Sequence, residues 1–168
     1  HPFTLSSHPE RNDLLTVHVR SLGNWTRALH AHALARRAGG DEATMEAQLD
    51  GPYGAPAEEV FRTEVAVLVG AGIGVTPFAS VLASLLARSE GAAPGIGPLR
   101  RVYFVWVARD QHAFEWFADL LRTIEARDAR GLFDLRMWIT SARADAAGGT
   151  LGVALDLLAA RTGRDPIT

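Results

Sequence analysis

A chain of 168 residues with 48% hydrophobic and 21% charged side chains can bury one substantial core and part of a second. Its net charge of −2, with no basic run, argues against nucleic acid or an anionic surface as the main partner. With no cysteine, disulfides, thiolate metal sites, iron–sulfur clusters and cysteine nucleophiles are excluded within the chain.

The first residues, HPFTLSS, are already strand-like. In 14–20, Val17 and Val19 alternate with Thr16, His18 and Arg20, which predicts a half-buried strand. Gly23 or Asn24 is placed to cap a helix from Trp25 to about Arg37. A loop at 39–42 and a short strand at 46–50 lead into Gly51-Pro-Tyr-Gly54, a strong turn signal.

From residue 65 the texture changes. Residues 65–69 are apolar throughout, which predicts a strand buried on both faces of a parallel sheet. Phe78, Val81, Leu82, Leu85 and Leu86 then follow helical spacing. After a Gly/Pro/Ala-rich loop come a buried strand at 102–107, a helix at 112–127, a strand at 132–139 and a helix at 151–160. This alternation predicts an α/β fold with a doubly wound parallel sheet, preceded by part of an antiparallel β-barrel in the first 54 residues. The boundary falls in 55–64, dividing the chain into 1–60 and 61–168. Both ends break off within strand-like or loop sequence, and the chain reads as a fragment of a longer protein.

Gly70-Ala-Gly-Ile-Gly-Val-Thr-Pro77 lies between a buried strand and an amphipathic helix, the context a phosphate-binding turn requires. Glycines let the backbone approach an anion, Pro77 suits the first turn of a helix, and Thr76 is placed to cap it and donate to a phosphate. The same turn can also serve packing alone. Arg109 ends the next strand, at the carboxyl edge where open parallel sheets bind ligands. A guanidinium there can pair with a ribose 2′-phosphate or with Asp110, itself placed to cap the following helix. Phe3 and Thr4 could line a flavin, and Arg20, on one strand face with His18, could meet a pyrophosphate; each is also an ordinary strand residue. No histidine pair forms a metal constellation, and the expected metal count is none.

Together HPFTLSS (1–7), VHVRSLGNWT (17–26), DGPYG (50–54), VLVGAGIGVTPFASVL (67–82) and FVWVARDQHAFEWFADLL (104–121) resemble the dehydrogenase module of the NADPH oxidases. The tail 139–168 is most similar to the calcium-regulated, EF-hand-bearing branch, although no EF-hand lies in this segment. The resemblance implies the ferredoxin–NADP reductase fold, with part of an FAD-binding barrel in 1–60 and an NADPH-binding domain, truncated at its C-terminal side, in 61–168. It places His1, Pro2, Phe3 and Thr4 at the flavin ring. It assigns His18, Arg20, Ser21, Trp25 and Thr26 to FAD as well, Arg20 and Ser21 at the pyrophosphate. To NADPH it assigns Pro52, Tyr53 and Gly54; Gly70, Ala71, Gly72, Ile73, Gly74, Val75, Thr76 and Pro77; and Trp106, Arg109 and Asp110.

The implied reaction is hydride transfer from NADPH to FAD, with electrons then passing through the haems of a transmembrane domain to oxygen, giving superoxide. The implied place is the cytoplasmic side of a membrane, with the haem domain and an EF-hand or other regulatory domain as partners. Ferric reductases and soluble flavoreductases of the same superfamily are the alternative. Ala108 departs from the cysteine many relatives carry before Arg-Asp.

Overall fold

The computed structural model describes residues 2–11, 13–39, 48–51, 53–54, 56–109 and 111–140. His1, Pro52, Asp110, the start of the strand expected at 46–50 and the helix expected at 151–160 lie outside the described residues.

Three parallel strands, β1 (Val65–Ala71), β2 (Arg101–Ala108) and β3 (Phe133–Ile139), form one sheet in the order β1-β2-β3. A 3-10 turn, Gly72–Val75, runs directly into helix α2 (Thr76–Ser89) between the first two strands. A second 3-10 turn, Gln111–Phe117, and α3 (Ala118–Arg127) join β2 to β3. (The N-terminal helix α1 spans Asn24–Gly39.) Ala66 pairs across from Val102 and Leu68 from Phe104, and their side chains share one face with Trp106. Val81, Leu82, Leu85 and Leu86 of α2 and Leu121 and Ile124 of α3 close over that face as one core. Each such fully buried aliphatic side chain contributes about 1.5–3 kcal/mol.

The expectation that β1 is buried on both faces is wrong. Val65, Val67 and Val69 are 54%, 64% and 59% exposed. Both crossovers advance the sheet in the same direction, and right-handed connections then put α2 and α3 on the same side. Among the described residues no helix covers the other side.

The helix expected at 112–127 starts later, because 111–117 form a 3-10 turn. A 3-10 turn eclipses residues i and i+3, and it brings both Phe114 and Phe117 onto the indole of Trp106, with ring centroids 4.9 and 5.9 Å away. At the other end of α3, Asp128 accepts the amides of Leu132 and Phe133 at 2.8 and 2.9 Å, which turns the chain into β3. The stretch Gly72–Ser89 has the length and mean hydropathy, 1.2, of a membrane span. Its apolar side chains are those packed on the sheet, as in the core helix of an α/β domain.

In the N-terminal part, Leu5 forms an antiparallel bridge to Val17, and Ser6 N donates to Thr16 O at 2.7 Å. The strand expected at 14–20 is reduced to that bridge, and its facing differs from expectation: Val17 is exposed and His18 half-buried. The reason is that His18 is held inward by Ser6 and Phe117. Helix α1 leaves Gly23 at its cap, and Thr26 Oγ1 accepts the amides of Leu22 and Gly23, both at 2.9 Å.

Candidate dinucleotide site

The glycine turn leaves the carboxyl end of β1 level with the end of β2: Gly70 pairs with Trp106 and Ala71 with Val107. Arg109 follows two residues on, exposed at the same edge. Each glycine of the turn has a different physical reason. A Cβ on Gly70 would meet Val75 Cα at 3.2 Å and Phe78 Cδ2 at 3.3 Å, so this position lets the turn fold back on the strand. Gly72 has φ +50, a left-handed conformation that penalises any side chain. At Gly74 nothing among the described residues lies within 4 Å of where a Cβ would sit, so the backbone there faces open space.

Thr76 does not play its expected part. Val75 already has helical dihedrals (φ −71, ψ −20) and occupies the cap position. Thr76 is therefore inside the helix, buried, and its hydroxyl donates to Ile73 O at 2.8 Å instead of facing a ligand. Pro77 sits in the first helical turn, as expected. Trp106 is also displaced from its expected role. It is 0% exposed, enclosed by Phe104, Phe114 and Phe117, and its Nε1 has no hydrogen-bond partner among the described residues. It is a core residue beneath the site. The side chain of Val75 is likewise buried, leaving its backbone as the part that could meet a ligand.

The residues assigned to the flavin fall into two groups. Phe3 and Trp25 stack on each other, centroids 5.7 Å apart at 23°, and both are partly exposed. Pro2 and Thr4, the chain neighbours of Phe3, are exposed, and Ser21 is exposed just before α1. Thr26 is spent on the start of α1. Arg20, exposed, instead reaches the nucleotide turn: its Nη1 lies 3.9 Å from a Cβ built on Gly72. The turn at 50–54 is tied by Tyr53, whose hydroxyl donates to Asp50 Oδ2 at 2.8 Å; that bond raises the tyrosine pKa. Gly54 is exposed beside it.

Sequence reasoning missed the polar stripe on α2. Ser80, Ser84 and Arg88 hold residues 7–10 of the N-terminal segment. Their i, i+4, i+8 spacing, beside the apolar face of the same helix, was the available signal.

A family model for the ferric reductase NAD binding domain matches residues 63–154, and one for an FAD-binding domain matches residues 1–57. NADPH oxidase 5 of Homo sapiens is 36% identical over 219 aligned residues, covering 100% of this chain and 28% of that protein. Dual oxidase 1 of Rattus norvegicus is 42% identical over 142 residues, covering 83% of this chain and 9% of that protein. Ferredoxin-NADP+ reductase from Plasmodium falciparum shares the fold at a TM-score of 0.51 and 12% identity, covering 95% of this chain and 58% of that one. The chain belongs to the ferric reductase NAD binding domain family, with an FAD-binding domain ahead of it. It is similar to the NADPH oxidases and dual oxidases, and spans 28% and 9% of the length of the two relatives named.

Proposed function

We propose that residues 61–168 bind NADPH and residues 1–60 help hold FAD, so that this module feeds electrons from NADPH into a membrane oxidase. One observation carries the reading: Arg20, from the flavin segment, lies against Gly72 of the nucleotide turn, which brings the two cofactor motifs to a common edge. The residues present fit both groups. Open space at Gly74 admits a phosphate to the backbone, Arg109 stands at the strand edge, and Phe3 and Trp25 offer an aromatic face to a ring system.

When bound, NADPH supplies a hydride and FAD accepts it. The chain's own residues then bind and orient. Gly70 and Gly72 shape the turn, Gly74 leaves room for an anion, and Arg20 supplies positive charge beside Gly72. Arg109 selects the 2′-phosphate, in line with the placement of a guanidinium at the carboxyl edge of β2. No side chain is required as proton donor in this step.

The full-length protein, in this reading, passes the electrons to haems of a transmembrane domain and on to oxygen, giving superoxide, with this module on the cytoplasmic side. The ferric reductase description of the matched family supports a second reading, in which ferric iron is the acceptor. The test is flavin absorbance in the full-length protein and its bleaching by NADPH without oxygen. Readmitting oxygen or ferric chelate then identifies the acceptor. A protein without flavin, or with flavin that NADPH leaves oxidised, overturns the proposal.

A further inference from the structure

Residues 7–10 are fastened to the nucleotide domain at three points of one helix. Ser80 Oγ donates to Ser7 O at 2.7 Å, Ser84 Oγ donates to Glu10 Oε1 at 2.9 Å, and Arg88 Nε donates to the same oxygen at 2.5 Å. The other oxygen of Glu10 lies 3.0 Å from His8 Nδ1. Arg88 is held from its far side as well, its guanidinium 4.1 Å above the ring of Phe61. Ser84 is buried, and the side chains of Glu10 and Arg88 are only 11% and 15% exposed, so the cluster is sheltered from solvent screening. Burial pushes the Glu10 carboxyl up, but the hydrogen bonds from Arg88, His8 and Ser84 outweigh it and hold the pKa at about 2. The carboxylate is therefore a permanent anion at neutral pH.

The attachment points sit close to both cofactor motifs along the chain. Ser7 follows Thr4 by three residues, and Ser80 follows Pro77 by three. We propose that Glu10, clamped by Ser84 and Arg88, is a positioning residue for hydride transfer: it locks the segment after the flavin motif onto the helix that begins at the nucleotide turn. The inference rests on the flavin–NADPH reading above, but concerns the register between the two motifs and not the affinity of either. Two joints of a few residues leave little slack, so loosening the clamp misaligns the bound rings without emptying either site.

The test uses Glu10→Gln, Arg88→Met and the double variant in the flavin-loaded, full-length protein. At saturating NADPH without oxygen, the rate constant of flavin bleaching is expected to fall about tenfold in each single variant, since small misplacements of reacting groups cost rates of this order. The double variant is expected to lose no more than either single, as for partners in one contact. Flavin content and the Kd for NADP+ should stay within about twofold of the unmodified protein, because neither residue is assigned to a cofactor. Amide exchange across residues 2–11, read on the flavin-free protein, should quicken in all three. Unchanged bleaching despite faster exchange overturns the positioning role, and so does loss of flavin or NADP+ affinity in step with the rate. If NADPH fails to bleach even the unmodified protein, the functional reading itself falls and takes this inference with it; the exchange data then still report whether Glu10 holds the strap.

Discussion

The imidazole of His18 packs 4.7 Å from the ring of Phe117, and its Nδ1 lies 2.7 Å from Ser6 Oγ. This contact joins the N-terminal segment to the 3-10 turn that follows β2. Burial lowers the pKa of His18 below its usual 6.5, so the ring is neutral at pH 7. A group whose folded pKa lies below its unfolded value contributes stability that is complete above the unfolded value. That stability is lost as pH falls through the folded one. Acidifying below the usual histidine pKa of 6.5 should therefore lower Tm. The variant His18→Gln should lose that part of the pH dependence. Thermal melts of both proteins across the range check it; identical slopes would sink the assignment.

The glycine turn separates packing from binding. Gly70→Ala places a methyl 3.2 Å from Val75 Cα, and should destabilise the fold by about 1–3 kcal/mol. The Cβ of Gly74→Val meets nothing within 4 Å among the described residues, and the change should alter stability by no more than about 0.5 kcal/mol. The same change should weaken NADP+ binding at least about tenfold, about 1.4 kcal/mol. Denaturant melts and NADP+ titrations of the two variants decide it. Undiminished NADP+ affinity in Gly74→Val means the turn serves packing alone. Gly72 is a poorer probe, since its φ of +50 makes any side chain strained whatever it occludes.

Arg109→Ala should raise the KM for NADPH about tenfold to a hundredfold, the worth of one charge-assisted pair of about 1.5–3 kcal/mol. The KM for NADH, which lacks the 2′-phosphate, should barely move. Equal effects on both would remove Arg109 from the 2′-phosphate.

The two faces of β1 give a within-strand control. Leu68→Ala, on the covered side, should cost about 2–5 kcal/mol. Val67→Ala, one residue away and largely exposed, should cost well under 1 kcal/mol. Urea melts with m-values compare them directly; similar losses would mean that both faces are covered in solution.

The helix α2 was readable because Phe78, Val81, Leu82, Leu85 and Leu86 repeat at a period that only a helix satisfies. The parallel pairing of the three strands was readable from the alternation of elements. Which side of β1 is buried was not, because VAVLVGA is apolar at every position and carries no period. Only the shared side of α2 and α3 settles it. Thr76 looked like a cap because it precedes Pro77, but the 3-10 turn starts the helical dihedrals early and turns its hydroxyl back to Ile73. Phe114 and Phe117 fit an α-helix and a 3-10 turn equally well in sequence; Trp106 beneath them decides. Arg20 beside Gly72 and Glu10 beside Arg88 join residues far apart in the chain, and no local pattern announces such a pairing.

β1 is also, with β3, one of the two outer strands of the sheet among the described residues, and it pairs on one side only. A strand that pairs on one side among the described residues and carries a row of exposed valines is a ready template for another strand. It carries no lysine, proline or bulge to discourage one. Among the described residues, the strand that launches the nucleotide turn is thus also one from which the sheet can grow.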